Sequence, residues 1–171
     1  LPLAILLLLY NLGGVFSLLP WMDEAPSVRF TAVSVYLMLT AIFFAAIMAD
    51  DPLGRLDTLR KGYLFSAWCA SFAGLLGYFD IAGLGSVLAL YGRASGTFKD
   101  PNVLGAFLIL PALFALQSVV SDKLAKAFRN VIAFAIMSLA ILLAFSRAAW
   151  GGLVLTSAFM LALMVLTSRT N

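Results

Sequence analysis

Long apolar runs dominate the pattern of this chain, and short segments that hold the charges separate them. The runs lie at 1–22, 30–49, 62–79, 101–121, 130–146 and 148–168. Each is close to the length of about 18 or more residues that can cross the hydrocarbon core of a bilayer. None alternates as a barrel strand does, and in lipid a run satisfies its own backbone only as a helix. The pattern therefore predicts an all-α, polytopic integral membrane bundle with about six transmembrane helices.

The last two runs need a break between them. The region 130–168 is apolar throughout except for Arg147. At a rise of about 1.5 Å per residue, a single helix of this length would be nearly twice as long as a bilayer is thick. A turn near 146–152 is therefore predicted.

Composition supports the membrane assignment. Of the 171 residues, 63% are hydrophobic and 11% are charged, and the mean hydropathy is +1.05, which is too apolar for a soluble surface. The single cysteine, Cys69, and the lack of histidine exclude a disulfide framework and a Cys/His metal site, so no metal or cofactor is predicted. The net charge of +3 belongs to membrane loops and does not predict nucleic-acid binding.

We interpret residues 1–171 as one transmembrane domain. The first run begins at residue 1 without a basic leader, and the last ends a few residues before Asn171. A trimmed signal sequence is one explanation of this beginning, but we favour a fragment of a longer protein.

The loops differ in positive charge. With six spans, one set of loops holds seven cations, Arg55, Arg60, Lys61, Lys123, Lys126, Arg129 and Arg169, and the other holds four, Arg29, Arg93, Lys99 and Arg147. The positive-inside rule makes the first set cytoplasmic. The segment 80–102 and Arg147 are therefore predicted on the outer, periplasmic side of a bacterial inner membrane.

A short apolar segment, 81–91, precedes the fourth run and is too short to span. Segments of this length lie at the interface or re-enter the membrane. We expect it to hold the polar stretch 92–102 near the lipid headgroups. Asp100 and Pro101 are typical of the N-cap and first residue of the fourth helix.

Two arginines on the predicted outer side are the main candidates for chemistry. Arg147 interrupts an apolar region, where an ionisable group is costly and often functional, although an arginine at a helix end also snorkels to water. Arg93 and Lys99 form a second cationic group beside Gly92 and Gly96, and such glycines either permit a ligand to approach the backbone or belong to a plain loop. If both arginines face one cavity, they would form a bidentate clamp for phosphate.

Other polar and aromatic residues have simpler explanations. Asp80 and Asp100 are possible general bases, but a turn residue and an N-cap explain them better. Gly74 and Gly77 are typical of helix packing. An aromatic belt at the membrane interfaces accounts for most of the remaining candidates, which are Trp21, Trp68, Trp150, Tyr36, Tyr63, Tyr78 and Tyr91.

Two motifs resemble those of the bacterial O-antigen ligase and O-antigen polymerase superfamily. The first is R-A-S-G-T-F-K-D-P-N-V-L-G at 93–105, and the second, after an apolar helix, is S-R-A-A-W at 146–150. Their order and spacing are similar to the family's. The resemblance covers the second half by motif and the rest only by hydropathy. The chain departs from the family at Gly151, where a leucine is usual, which affects local helix packing.

The resemblance implies a GT-C-type glycosyltransferase of the inner membrane. Such enzymes transfer a glycan from an undecaprenyl-diphosphate carrier to lipid A-core or to another carrier-linked glycan, without a metal or nucleotide sugar. Arg93 and Arg147 would be catalytic by holding the diphosphate, and Gly96, Lys99 and Asn102 would join them in binding substrate. The family's catalytic histidine lies in a later periplasmic loop. Because this chain has no histidine, it is expected to be inactive alone and to bind the donor at best.

Two other classes of protein remain as alternatives. A polytopic transporter or a flippase for lipid-linked oligosaccharides would also have many helices, but it predicts ionisable residues near the midplane. Here the middle of each run is free of charge and the cations gather at one interface. A structural membrane subunit would leave the loop at 92–102 unexplained.

Overall fold

The computed structural model describes residues 2–121 and 124–168, and these are almost entirely helical. The seven α-helices are α1 (Pro2–Leu18), α2 (Ala25–Asp50), α3 (Pro52–Tyr78), α4 (Gly85–Leu88), α5 (Pro101–Ser121), α6 (Leu124–Leu143) and α7 (Arg147–Ser168), with a two-stranded ribbon of β1 (Ala89–Leu90) and β2 (Arg93–Ala94). The prediction of an all-α fold is confirmed. The chain divides into two compact units, Leu1–Thr58 and Leu59–Asn171.

Four helices are long and apolar enough to cross a membrane: Pro2–Trp21, Ala25–Ala49, Pro101–Val120 and Arg147–Thr167. They correspond to the first, second, fourth and sixth predicted runs, which are confirmed in this sense. The third run, 62–79, overlaps α3 and ends one residue after it, and the fifth, 130–146, overlaps α6 and ends three residues after it. The apolar part of α6, Ala127–Leu143, is shorter than the four spans. A total of six spans stays a prediction.

The first unit is a hairpin of α1 and α2. A 3₁₀ turn at Leu19–Trp21 follows α1. The α2 helix begins at Ala25, five residues before the predicted run, so Arg29 lies inside the helix rather than in the loop before it. Asn11 is buried in α1, and its Nδ2 donates to the carbonyl oxygen of Leu7 (2.9 Å).

The core of the second unit lies where α5 contacts α6 and α7. Leu104, Leu108, Met137 and Ile141 are fully buried there. Gly105 allows α5 and α7 to approach closely, since a Cβ at this position would lie 2.8 Å from Cβ of Ala149. The outer surface of α7 exposes large apolar side chains, as expected of a helix that faces lipid.

The predicted turn in the 130–168 region is confirmed. The α6 helix ends at Leu143 and α7 begins at Arg147, so the break covers residues 144–146 and reaches only the first residue of the predicted range. Phe145 adopts a left-handed conformation (φ 48°), which reverses the chain direction after the α6 C-terminus.

Candidate functional site

A compact connection joins α3 to α5 and carries the first motif. Residues Ile81–Gly83 form a 3₁₀ turn, α4 adds one helical turn, and β1 and β2 pair antiparallel with Leu90 opposite Arg93. Tyr91 (φ 53°) and Gly92 (φ 70°) make the two-residue loop between the strands, and positive φ at both positions is the geometry of a type I′ hairpin.

Glycines allow the connection to pack closely against α3. A Cβ on Gly77 would lie 2.5 Å from the backbone of Leu88, and one on Gly96 would lie 2.9 Å from the carbonyl oxygen of Ala70. The backbone N–H groups of Ser95 and Gly96 both donate to the Leu88 carbonyl oxygen. Gly96 is therefore buried against α3, and its close backbone approach serves packing in this structure.

Arg93 links the first motif to the second. Its Nε donates to the carbonyl oxygen of Ala144 (2.8 Å), and its Nη2 donates to Oδ1 of Asn102 (2.9 Å) and to the carbonyl oxygen of Phe145 (3.3 Å). These carbonyls follow the end of α6, where the helix dipole is negative and a cation is stabilising. The guanidinium thus joins the end of α6 to the first turn of α5.

The turn before Arg147 has two more supports. Oγ of Ser146 accepts a long hydrogen bond from the backbone N–H of Ala149 (3.4 Å) as an N-cap of α7. The indole Nε1 of Trp150 donates to the carbonyl oxygen of Ile141 (3.1 Å), near the end of α6. The S-R-A-A-W motif therefore builds the turn that presents Arg147.

The other three predicted site residues are all exposed, and they differ in their hydrogen-bond partners. Arg147 and Lys99 are exposed, and neither has a hydrogen-bonding or ionic partner among the described residues. Asn102 is exposed and accepts from Arg93, while its backbone N–H donates to Oδ1 of Asp100 (2.7 Å). The predicted start of the fourth helix at Asp100 and Pro101 is confirmed.

The electrostatics of this end favour an anion. The N-termini of α5 and α7 both lie beside Arg93, and the positive end of each helix dipole favours an anion there. Arg93, Lys99 and Arg147 add three positive charges. The carboxylate of Asp100 accepts from the backbone of Asn102, and that of Asp80 accepts from the N–H of Gly85 (2.8 Å), so both acids serve as local caps.

Two features of the site went unpredicted. The sequence predicts an aromatic belt for Trp150, although a tryptophan beside a predicted turn often donates its N–H to a free carbonyl. The hairpin is the second feature, because hydropathy alone makes 81–91 one apolar segment. The signal was Tyr91-Gly92, a pair ending in glycine between two short strand-forming pieces.

Comparison with protein-family models, curated proteins and solved structures found no match for this chain.

Proposed function

We propose that this chain is the donor-binding part of a membrane glycosyltransferase similar to O-antigen ligases and polysaccharide polymerases. Its donor would be a glycan linked to undecaprenyl diphosphate, and its acceptor lipid A-core or a second carrier-linked glycan. The observation that carries the proposal is the link from Arg93 to the carbonyls just before Arg147. Two motifs that are distant in sequence thereby meet at one cationic end of the second unit.

A diphosphate fits the chemistry of this end. Its charge grows as the bond from the sugar's anomeric carbon to the phosphate oxygen breaks, and fixed cations stabilise that change. Arg147 and Lys99 are open to it, and two N–H groups of Arg93, those on Nη1, have no partner among the described residues. A general base must take the proton from the acceptor hydroxyl, and it would come from a residue outside this chain's motifs.

The protein would cross the bacterial inner membrane several times, with α3 and α6 adding two spans to the four apolar helices. The connection from Asp80 to Asn102 and the α6–α7 turn would lie at the periplasmic interface. The unequal loop charges support this orientation.

A transporter or flippase remains the second candidate because of one feature of the first unit. Asn11 lies within an apolar span, and its buried Oδ1 has no hydrogen-bond partner in the described part of the chain. It borders a cavity of about 490 Å³ that is also lined by Ser17, Thr31 and Ser34. Polar groups inside a membrane often mark a transport path.

Glycan transfer by variants of the protein tests the proposal. Arg147→Ala should abolish transfer from an undecaprenyl-diphosphate-linked glycan at a normal membrane level, whereas Lys99→Ala should reduce it less. Arg129→Ala is the matched control, because this exposed arginine lies in α6 far from the turn. Normal transfer by Arg147→Ala would reduce that arginine to a topological anchor and favour the transporter.

A further inference from the structure

Tyr91 is exposed and strained at the tip of the hairpin. Its side chain is 91% exposed, and its φ is 53°, a region in which residues other than glycine, asparagine and aspartate are uncommon. Asparagine is the residue that type I′ loops favour here. Because Tyr91 gains almost no packing within the protein, the reason for an aromatic side chain lies outside it.

Other apolar side chains of the same connection are also uncovered. Val87 is 74% exposed, Phe79 is 59% exposed and Ile81 is 49% exposed. Phe79 and Ile81 lie beside the left-handed residues Asp80, Ala82 and Gly83, which turn the chain repeatedly, and Val87 lies in the single turn of α4. Such exposed apolar side chains on irregular backbone are uncommon where they contact only water. Their exposure stabilises neither the fold nor the hydration of the surface.

The hairpin lies at the level where helices enter the membrane. Arg93, two residues after Tyr91, bonds Asn102 in the first turn of α5 and the carbonyls that precede α7. Both α5 and α7 are long and apolar enough to cross a bilayer. The beginnings of these spans fix the boundary of the hydrocarbon core, so the hairpin lies beside that boundary.

We propose that Tyr91, with Val87, Ile81 and Phe79, inserts into the boundary between lipid headgroups and acyl chains and anchors the connection there. Tyrosine is suited to this depth, since its ring is apolar and its hydroxyl can bond to headgroups. The exposed ammonium of Lys99 complements the lipid phosphates. This inference does not depend on glycan transfer.

Spin-label depth measurements test the insertion. We would introduce Tyr91→Cys or Val87→Cys into a Cys69→Ser background and reconstitute the labelled protein in vesicles of phosphatidylethanolamine and phosphatidylglycerol. Both labels should collide more with oxygen than with a water-soluble nickel chelate. Ser86→Cys is the matched control, since Ser86 is an exposed polar neighbour of Val87. Labels at 87 and 91 that are as accessible to nickel as the control would overturn the proposal.

A second measurement separates the aromatic ring from the shape of the turn. With the label kept at Val87→Cys, Tyr91→Trp should retain its depth, whereas Tyr91→Asn should move it toward water. Asparagine suits the left-handed backbone, so a shift would report the lost ring rather than an unfolded hairpin. An unchanged depth in Tyr91→Asn would overturn the anchoring role. The label at position 91 could also be exposed to water and become immobile only when a lipid-linked glycan is added. That result would overturn membrane insertion and indicate that Tyr91 contacts the glycan.

Discussion

The two arginines have unequal surroundings. Arg93 is partly buried and donates to two main-chain carbonyls and to Asn102, so much of its hydrogen-bonding capacity maintains the turn between α6 and α7. Arg147 is exposed at the first position of α7. A lysine at position 93 could not reproduce this fork of donors, because its ammonium is a point charge on a single carbon chain. Arg93 therefore supports the turn, and Arg147 has the more accessible guanidinium.

A double-mutant cycle distinguishes positioning from direct contact. Arg93→Gln and Arg147→Gln should each weaken binding of farnesyl diphosphate, used as a short probe, by roughly tenfold or more, since a hydrogen bond to a charged group contributes about 1.5–3 kcal/mol. If Arg93 acts through the turn, the double variant should lose less affinity than the sum of the single losses. Isothermal titration in nanodiscs measures both effects.

Amide hydrogen exchange supplies a readout that does not need the ligand. Arg93→Gln should accelerate exchange in the first turn of α7, at Ala149 and Trp150, whose N–H groups bond Ser146. Arg147→Gln should leave that exchange unchanged and serves as the control. Additive losses of affinity together with unaltered exchange would contradict the positioning role of Arg93.

At the scale of elements, a proline in α5 explains a hydrogen bond between α3 and α5. Pro111 lies inside α5 and lacks the N–H that would bond the carbonyl of Phe107, four residues earlier. Oη of Tyr63 in α3 donates to that carbonyl at 2.7 Å. The side chain of one helix thus satisfies the backbone group that the other leaves free, which an apolar environment makes valuable.

This pairing predicts a coupling between Tyr63 and Pro111. Tyr63→Phe should lower the free energy of unfolding by about 1 kcal/mol, as expected of one hydrogen bond inside a membrane protein. In a Pro111→Ala background, the new N–H of residue 111 can bond Phe107, so Tyr63→Phe should cost less. Tyr78→Phe is the control, because the hydroxyl of Tyr78, also in α3, has no partner among the described residues. Unfolding in mixed micelles measures each change, and equal costs in both backgrounds would refute the coupling.

Hydropathy predicted the helices well because a long apolar run has few alternatives in lipid. It predicted the turn before Arg147 for the same reason, since the bilayer limits the length of a span. It could not predict the hairpin at Tyr91 and Gly92, where two pairs of residues suffice for β1 and β2. Nor could it predict that the guanidinium of Arg93 would meet the carbonyls of Ala144 and Phe145. Such contacts depend on how distant helix ends pack, which periodicity does not encode.

At the scale of the whole molecule, the second unit has two chemically different ends. At one end, Arg93 lies beside the starts of α5 and α7 and the end of α6. Toward the other end of α5, Nη2 of Arg60 donates to Oγ of Ser118 (2.7 Å), and its guanidinium lies 5.3 Å from the ring centroid of Phe114. The 21 residues of α5 rise about 30 Å, which matches the hydrocarbon core. The unit therefore has cations at both ends of α5, with Arg93 and Arg147 at the same end.

Cysteine labelling determines which end of the second unit faces the periplasm. In a Cys69→Ser background, Lys99→Cys should react with a membrane-impermeant maleimide in intact spheroplasts, because the smaller share of cations belongs outside. Arg129→Cys, in α6 toward the opposite end, should react only after the membrane is opened. Each change removes one cation, yet the excess stays with the same set of loops, so the substitutions do not themselves invert the protein. Reaction of Arg129→Cys alone in sealed spheroplasts would place Arg93 and Arg147 in the cytoplasm, where a periplasmic glycan transfer could not use them.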